Sequence, residues 1–187
     1  MSNARVWLFR SLILIAIGLL FVSWFLPWWK CTTPAMEGWV RIRPWGLENN
    51  LGIFAVHIDG SDMPGWFAPF MWAYLGLCTV LLLVSLFVKD KVFRFCKIRF
   101  SLPHTIIGGI GISYIVVAIL AVVIAAIRSG DYFNMSLIGF TYVEEAYGNV
   151  YGSLQPGYWL ACSVGPLLVL LSLFRNKIIG KSSVRRG

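Results

Sequence analysis

The sequence predicts an all-α membrane protein: a four-helix transmembrane bundle with a small antiparallel β-sheet formed by its external loops. Two observations support this fold class. Hydrophobic residues make up 58% of the 187 residues and charged residues only 13%, whereas a soluble domain of this size needs more charge to cover its surface. In addition, four apolar stretches contain no Asp, Glu, Lys, Arg or His, and each is long enough to cross the ~30 Å hydrocarbon layer. The predicted spans of this single domain (1–187) are residues 11–29, 66–88, 105–127 and 157–174.

The distribution of charge predicts which side of the membrane each loop faces. Of the 16 basic residues, 12 lie near the two termini or in the loop 89–104, where Asp90 is the only acid. Positive residues that flank spans stay in the cytoplasm, so both termini and this loop are expected inside. Loops 30–65 and 128–156 are then outside. The net charge of +8 is explained by this topology and by anionic headgroups, rather than by nucleic-acid binding.

Aromatic residues cluster at the predicted external ends of the spans. Indole and phenol rings prefer the headgroup level, where the ring is half buried and its polar atom still finds a partner. Bound lipids are therefore the expected contacts, and a quinone or sterol groove between Trp-lined helices is the alternative. The expected interface anchors are Trp24, Trp28, Trp29, Trp66, Trp72, Tyr158 and Trp159.

Small residues recur along the third and fourth spans at helical spacing. Close backbone approach is a main source of helix association in lipid, because burying Leu against Leu gains little over burying it against an acyl chain. The stripe is expected to pack the two spans within one chain or between copies. Pro166 is expected to bend the fourth span locally. The predicted packing residues are Gly109, Gly111, Ser113, Ala118, Ala121, Ala125, Ala161 and Gly165.

The external loops carry strand signals. Residues 39–43 alternate apolar and charged side chains, residues 53–58 are β-branched and aromatic, and the turn-rich segment 44–50 lies between them. This pattern predicts an antiparallel pair of 39–43 with 53–58, and residues 137–143 are expected to supply a third strand. The aromatic side chains of the second loop are expected to cover the first loop or a partner. The candidate partner-binding residues are Trp39, Arg41, Arg43, Trp45, Phe54, His57, Phe140 and Tyr142.

Catalytic and metal-binding patterns are not found in the sequence. His57 and His104 fall on opposite sides of the membrane, so they cannot share a haem or a metal ion. The four cysteines form no Cys-x-x-Cys pair and no evident disulfide, which disfavours a thiol oxidoreductase. Charge-free spans argue against a proton-coupled transporter, a pump or a voltage sensor. No cofactor, metal or catalytic residue is predicted, and an external loop without a disulfide framework favours a bacterial or archaeal plasma membrane.

The layout resembles that of the claudin and peripheral myelin protein class of tetraspan membrane proteins. The shared features are four spans, both termini inside, a longer strand-bearing first external loop and a shorter second one. Claudins carry a Trp, then Gly-Leu-Trp, then two cysteines in the first loop; here Trp28 and Trp29 precede Trp45-Gly46-Leu47, and Cys31 is the single cysteine of the loop. The missing second cysteine removes the family's loop disulfide. The resemblance implies lateral assembly or adhesion through the external sheet.

Three function classes remain open on sequence alone. The first is a non-catalytic scaffold or accessory subunit that binds other membrane proteins, or copies of itself, through its external loops and small-residue helix faces. The second is a subunit of a respiratory or monooxygenase-type membrane enzyme whose cofactors lie in other subunits. The third is an oligomeric channel around a neutral pore.

Overall fold

The computed structural model describes residues 3–33, 38–50, 64–88, 92–95, 98–133, 136–143 and 148–179. Four long helices and seven short strands lie in these ranges. In chain order they are α1 (Asn3–Phe25), β1 (Trp29–Thr33), β2 (Gly38–Arg43), β3 (Gly46–Asn50), α2 (Phe67–Phe87), β4 (Val92–Phe95), β5 (Ile98–Ser101), α3 (Leu102–Phe133), β6 (Gly139–Val143), β7 (Gly148–Leu154) and α4 (Pro156–Ile179).

All four helices are long and apolar enough to cross a bilayer, as the sequence predicts. The first helix differs in its bounds, because it begins at Asn3 and ends at Phe25 rather than running from 11 to 29. Pro27 accounts for the early end, since the residue before a proline is disfavoured in the helical region and proline has no N–H for the helix ladder. The four residues after Phe25 lead into β1 instead of completing the span. Helix α3 has 32 residues and is about 48 Å long, so it extends beyond a hydrocarbon layer of ~30 Å.

Helix α3 is hydrogen-bonded to each of the other three helices. The Tyr114 hydroxyl lies 2.7 Å from Ser23 Oγ of α1, and Ser113 Oγ lies 3.0 Å from the Tyr74 hydroxyl of α2. From α4, Ser172 Oγ donates to the backbone carbonyl of His104 (2.8 Å). Neutral polar pairs therefore connect the helices where the sequence shows no charged group, and their side chains satisfy one another inside the protein.

The contact between α3 and α4 depends on glycines. A Cβ atom on Gly111 would lie 2.8 Å from the Gly165 carbonyl oxygen, and one on Gly165 would lie 3.1 Å from the Gly111 carbonyl oxygen. A Cβ on Gly108 would lie 2.9 Å from Ser172 Oγ. At Gly165 the nearest atom would be Ile115 Cγ1 (2.6 Å), but backbone atoms also lie within 3.2 Å of a Cβ at both positions. These backbone atoms cannot rotate aside, so glycine permits this close approach.

The remaining small residues of the predicted stripe have different positions. Ala118 and Ala161 are buried in the core, and Ala121 and Ala125 are half buried. Ser113 faces α2 rather than α4. Gly109 is exposed, and a Cβ there would meet no atom within 4 Å, so of the two predicted kinds of packing only packing between copies is left for it. Helix α4 continues through Pro166, whose side chain points away from the protein.

One end of the bundle carries a five-stranded antiparallel sheet in the order β3-β2-β1-β7-β6, with three strands from the first loop and two from the second. Residues 39–43 and 139–143 form strands as the sequence predicts. The partner of residues 39–43 differs, because β2 pairs with Gly46–Asn50 across a two-residue turn at Pro44 and Trp45. The predicted partner, residues 53–58, lies outside the described residues. Strands β1 and β7, the centre of the sheet, were not predicted.

The opposite end of the bundle carries a two-stranded antiparallel hairpin, β4 and β5, in which Val92 is opposite Ser101. It falls within the basic loop 89–104, for which the charge distribution predicts only the side of the membrane. We refer below to the two ends of the bundle as the sheet end and the hairpin end.

Trp28 joins the sheet to the helices. Its backbone N–H donates to the Ile42 carbonyl (2.8 Å), and its carbonyl accepts from the Gln155 N–H (2.9 Å). Its indole Nε1 donates to the Ser23 carbonyl (2.8 Å) at the end of α1. Gly157 brings the start of α4 against the same turn, since a Cβ there would lie 2.6 Å from the Pro27 carbonyl oxygen. The sheet is therefore held in a defined position on the ends of α1 and α4.

Candidate recognition surface on the sheet

The strand register divides the sheet into two faces, because successive side chains in a strand point to opposite sides. On the first, the packed face, Trp29 and Cys31 of β1 and Val150 of β7 form a small buried cluster. The segment before β6 covers part of this cluster, and Trp29 Nε1 donates to the Leu137 carbonyl (2.7 Å). That carbonyl would lie 2.8 Å from a Cβ on Gly152, so glycine is required there.

Cys31 lies on the packed face and is 6% exposed. Burial disfavours its thiolate and raises the pKa of the thiol from about 9 to about 11. We expect Cys31 in the folded protein to react slowly with iodoacetamide at pH 8, where about one thiol in a thousand is ionised. The rate should rise about tenfold per pH unit up to about pH 11. Mass spectrometry of the Cys31 peptide measures this rate, and a rate at pH 8 equal to that of the denatured chain would contradict it.

The raised pKa of Cys31 also makes the free energy of unfolding depend on pH. The folded state holds the Cys31 proton more tightly than the unfolded state, and this difference stabilises the fold. The stabilisation is complete below about pH 9 and is lost as the pH rises toward about 11. Two pH units correspond to about 2–3 kcal/mol. The difference in unfolding free energy between the wild type and Cys31→Ala should shrink across this window. Taking the difference cancels the Tyr and Lys groups that titrate in the same range.

The second face, which we call the open face, carries aromatic and basic side chains in two rows. The register places Trp39, Thr32, Tyr151 and Phe140 side by side across β2, β1, β7 and β6. Tyr142 lies on the same face of β6, two residues further from the helices than Phe140, and we include it in the aromatic row. One row nearer the helices, Arg41 and Lys30 are direct cross-strand neighbours.

The aromatic residues of β6 are strongly exposed. Phe140 is 75% exposed and Tyr142 is 69% exposed, whereas the neighbouring strand contributes Tyr151 at 38%. The rings of Phe140 and Tyr151 lie 4.7 Å apart, so they form one surface. The sequence left open whether these rings cover the first loop or a partner. With most of their surface accessible, Phe140 and Tyr142 do not cover the described part of the first loop, which is residues 30–33, 38–50 and 64–65.

The basic residues lie above a cluster of aromatic rings at the ends of α1 and α2. The Arg43 guanidinium lies 5.2 Å from the centre of the Trp45 ring, and the Trp45 ring lies 5.2 Å from Trp72 and 5.8 Å from Phe25. On the next open-face position of the same strand, Arg41 lies 4.1 Å from the Trp39 ring. Guanidinium groups over indole rings at these distances are held by cation–π attraction.

Six of the eight predicted partner-binding residues occur together in this region. Trp39, Arg41, Arg43, Phe140 and Tyr142 share the open face, and Trp45 lies in the adjoining turn against the helices. Phe54 and His57 lie outside the described residues. Sequence reasoning missed Lys30 and Tyr151, which belong to the same face. The alternation of β1 and β7 is weak in sequence, and the register of the sheet is what assigns the two residues to it.

The predicted interface anchors divide into two groups. Trp66, Trp72 and Trp159 are exposed at the sheet end of the bundle, where lipid headgroups would contact them. Trp24, Trp28 and Trp29 differ from the prediction, because they are buried in the protein, and Tyr158 is half buried against Trp28. The indoles of Trp28 and Trp29 donate to backbone carbonyls, so their N–H groups are satisfied inside the protein rather than by headgroups or water.

Within the described ranges, no three His, Cys, Asp or Glu residues come together in a way that could hold a metal ion. Cys31, Cys78 and Cys162 are free thiols. No protein-family model and no curated protein matches the chain. The site must therefore be interpreted from its own geometry.

Proposed function

We propose that the protein is a non-catalytic membrane scaffold or accessory subunit that binds a second membrane protein, or a copy of itself, through the aromatic row of its sheet. The observation that carries this proposal is the exposure of Phe140 and Tyr142 on one strand. Aromatic side chains are enriched in protein interfaces, and contiguous exposed apolar surface marks interaction sites. We place the sheet outside the plasma membrane of a bacterium or archaeon, with both termini in the cytoplasm.

The position of β6 in the sheet supports the same interpretation. In the described part of the chain β6 pairs with β7 and ends the sheet, so its other backbone edge is open. An open edge is a template for strand addition by another chain, and side chains such as Phe140 and Tyr142 would give that pairing specificity. The resemblance to claudin-type tetraspan proteins belongs to this proposal, since it implies lateral assembly through an external sheet.

Replacing Phe140 and Tyr142 with Ser tests the proposal. We expect partner recovery after mild solubilisation from the native membrane to fall by more than tenfold, because buried aromatic residues dominate interface energies. The variant should still insert and keep its thermal stability, since both rings are exposed. Quantitative mass spectrometry of co-purifying proteins, with light scattering of the complex, measures the effect.

Asn50→Ser is the matched control, because Asn50 is exposed on β3 at the opposite edge of the sheet. It should leave recovery unchanged.

A cofactor-bearing partner lost from the double variant would assign the protein to a membrane enzyme complex, whereas loss of self-association would identify a homotypic scaffold. If the same proteins co-purify with the double variant in the same amounts, the aromatic row is not the recognition element. Ion flux in liposomes that contain only this protein would favour the channel alternative.

A further inference from the structure

The strongest unexplained feature of the sheet is a pair of positively charged residues at directly opposite positions on neighbouring strands. Lys30 and Arg41 are opposite one another on β1 and β2, where side chains begin about 5 Å apart and like charges destabilise the pairing. Glu48 is opposite Arg41 on the other side but is paired with Arg43 (Nη2 to Oε2, 3.1 Å). In the described part of the chain no carboxylate pairs with Lys30 or Arg41, and Arg41 Nε is buried without a hydrogen-bond acceptor.

The geometry points to a bound anionic lipid. We propose that Lys30 and Arg41 bind the phosphate of an anionic phospholipid in the leaflet at the sheet end of the bundle. In this arrangement the aromatic rings of Phe25, Trp45 and Trp72 contact the lipid directly below its headgroup.

The height of the pair above the helices supports a lipid as the occupant. Phe25 is the last residue of α1, and its ring packs with Trp45 and Trp72, which places these rings at the boundary of the hydrocarbon layer. Arg43 lies over Trp45, and Arg41 is two residues further along β2, or about 7 Å. The headgroup region on each side of a bilayer is about 5–7 Å thick. Arg41 and the opposite Lys30 therefore lie beyond Arg43 and the aromatic rings, on the side where lipid phosphates are the nearest anionic groups.

The aromatic cluster supplies the other half of such a site. Phe25 is 51% exposed and Trp72 is 41% exposed on the side of α1 and α2 above which the open face rises. Aromatic rings at this depth suit the glycerol and upper acyl region of a lipid. The Trp39 ring holds the Arg41 guanidinium at 4.1 Å and limits its freedom, so less conformational entropy is lost when a phosphate binds. The two cations and the aromatic rings below them together fit an anionic phospholipid.

The test uses the purified full chain, phosphatidylglycerol as the anionic lipid and phosphatidylcholine as the neutral one. Native mass spectrometry of protein in mixed micelles measures the affinity for each lipid. We expect wild-type protein to prefer phosphatidylglycerol, and Lys30→Gln/Arg41→Gln to bind it about 30-fold more weakly, about fivefold per basic residue. Lys30→Gln alone should show the smaller loss and serves if the double variant is unstable. Arg5→Gln, at the hairpin end, is the control and should bind like wild type.

Thermal unfolding in nanodiscs gives a second readout. Adding phosphatidylglycerol to phosphatidylcholine discs should raise the Tm of wild type and of Arg5→Gln, but not that of the double variant. In phosphatidylcholine alone the double variant should be about as stable as wild type, because removing the two opposite like charges offsets the lost Arg41–Trp39 contact. Equal phosphatidylglycerol affinity in wild type and double variant would overturn the proposal.

Two other occupants are distinguished by the same variants. If inorganic phosphate raises the Tm of detergent-solubilised wild type and displaces the lipid, the site takes free phosphate and the lipid assignment is wrong. If wild type shows no preference for phosphatidylglycerol, but the double variant loses a protein partner that Phe140→Ser/Tyr142→Ser retains, the cations serve an acidic protein and the proposal is again overturned. The lipid-binding and thermal measurements require no partner protein, so their outcome is independent of the proposed function.

Discussion

Replacing Gly111 with Leu should destabilise the folded protein by about 3 kcal/mol, equivalent to about 10 °C in Tm for a chain of this length. The new Cβ would lie 2.8 Å from the Gly165 carbonyl oxygen and 2.9 Å from the Val169 backbone nitrogen. These backbone atoms cannot rotate away, so α3 and α4 must separate along their shared contact. Thermal unfolding in a fixed detergent measures the change.

Gly109→Leu is a closely matched control. The substitution is chemically identical, lies two residues earlier in the same helix and gains the same intrinsic helix propensity, but a Cβ at Gly109 meets nothing within 4 Å. We expect its Tm to equal or exceed that of wild type. If Gly109→Leu instead reduces the size of the complex in detergent, the exposed part of the stripe packs between copies. Equal destabilisation by both variants would show that α3 and α4 do not cross at Gly111.

The second large effect is expected for Trp28→Ala, at about 3–5 kcal/mol. Trp28 is 4% exposed, and removing its indole leaves a cavity between the helices and the sheet. The Ser23 carbonyl also loses the donor that lies 2.8 Å away. Because Trp28 contacts both parts of the molecule, we expect sheet and bundle to lose stability together, measured by unfolding and by proteolysis of the sheet.

Trp159→Ala tests whether this effect is specific to burial. Trp159 is also a tryptophan at the sheet end, but it is 58% exposed, so its removal should cost less than about 1 kcal/mol. Trp28→Phe should be intermediate, since it keeps most of the ring and loses the N–H. If Trp28→Ala and Trp159→Ala have equal effects, Trp28 acts as a membrane anchor, as the sequence analysis expected, and not as the connection between bundle and sheet.

Much of the architecture could be predicted because it depends on long local patterns. About 20 consecutive apolar residues identify a span regardless of what surrounds it, so all four helices were found. Alternation in residues 39–43 similarly identified β2. The ends of α1 were less predictable, because the apolar run continues through Trp28 and Trp29 while Pro27 ends the helix.

Pairing between distant segments could not be predicted. The central strands β1 and β7 are separated by more than 100 residues and include lysine, threonine, serine and glycine, so neither has a strong local signal. Helix α1 leads directly into β1, and β7 leads directly into α4. The positions of these two helix ends therefore determine that β1 pairs with β7. This pairing joins the Lys30–Arg41 neighbours of β1 and β2 to the Tyr151–Phe140 neighbours of β7 and β6 in one sheet, and so assembles the candidate site.

The sequence by itself determined that this chain has four helices able to cross a bilayer, because hydrophobicity and length are properties of each segment alone. Only the tertiary structure decided which small residues pack, which tryptophans are buried and which loop residues share a face. Those outcomes depend on helix rotation and strand register, where a shift of one or two residues exchanges Gly111 for Gly109, or moves a side chain from the packed face to the open face. Contacts between segments determine helix rotation and strand register, so neither can be predicted from one segment alone.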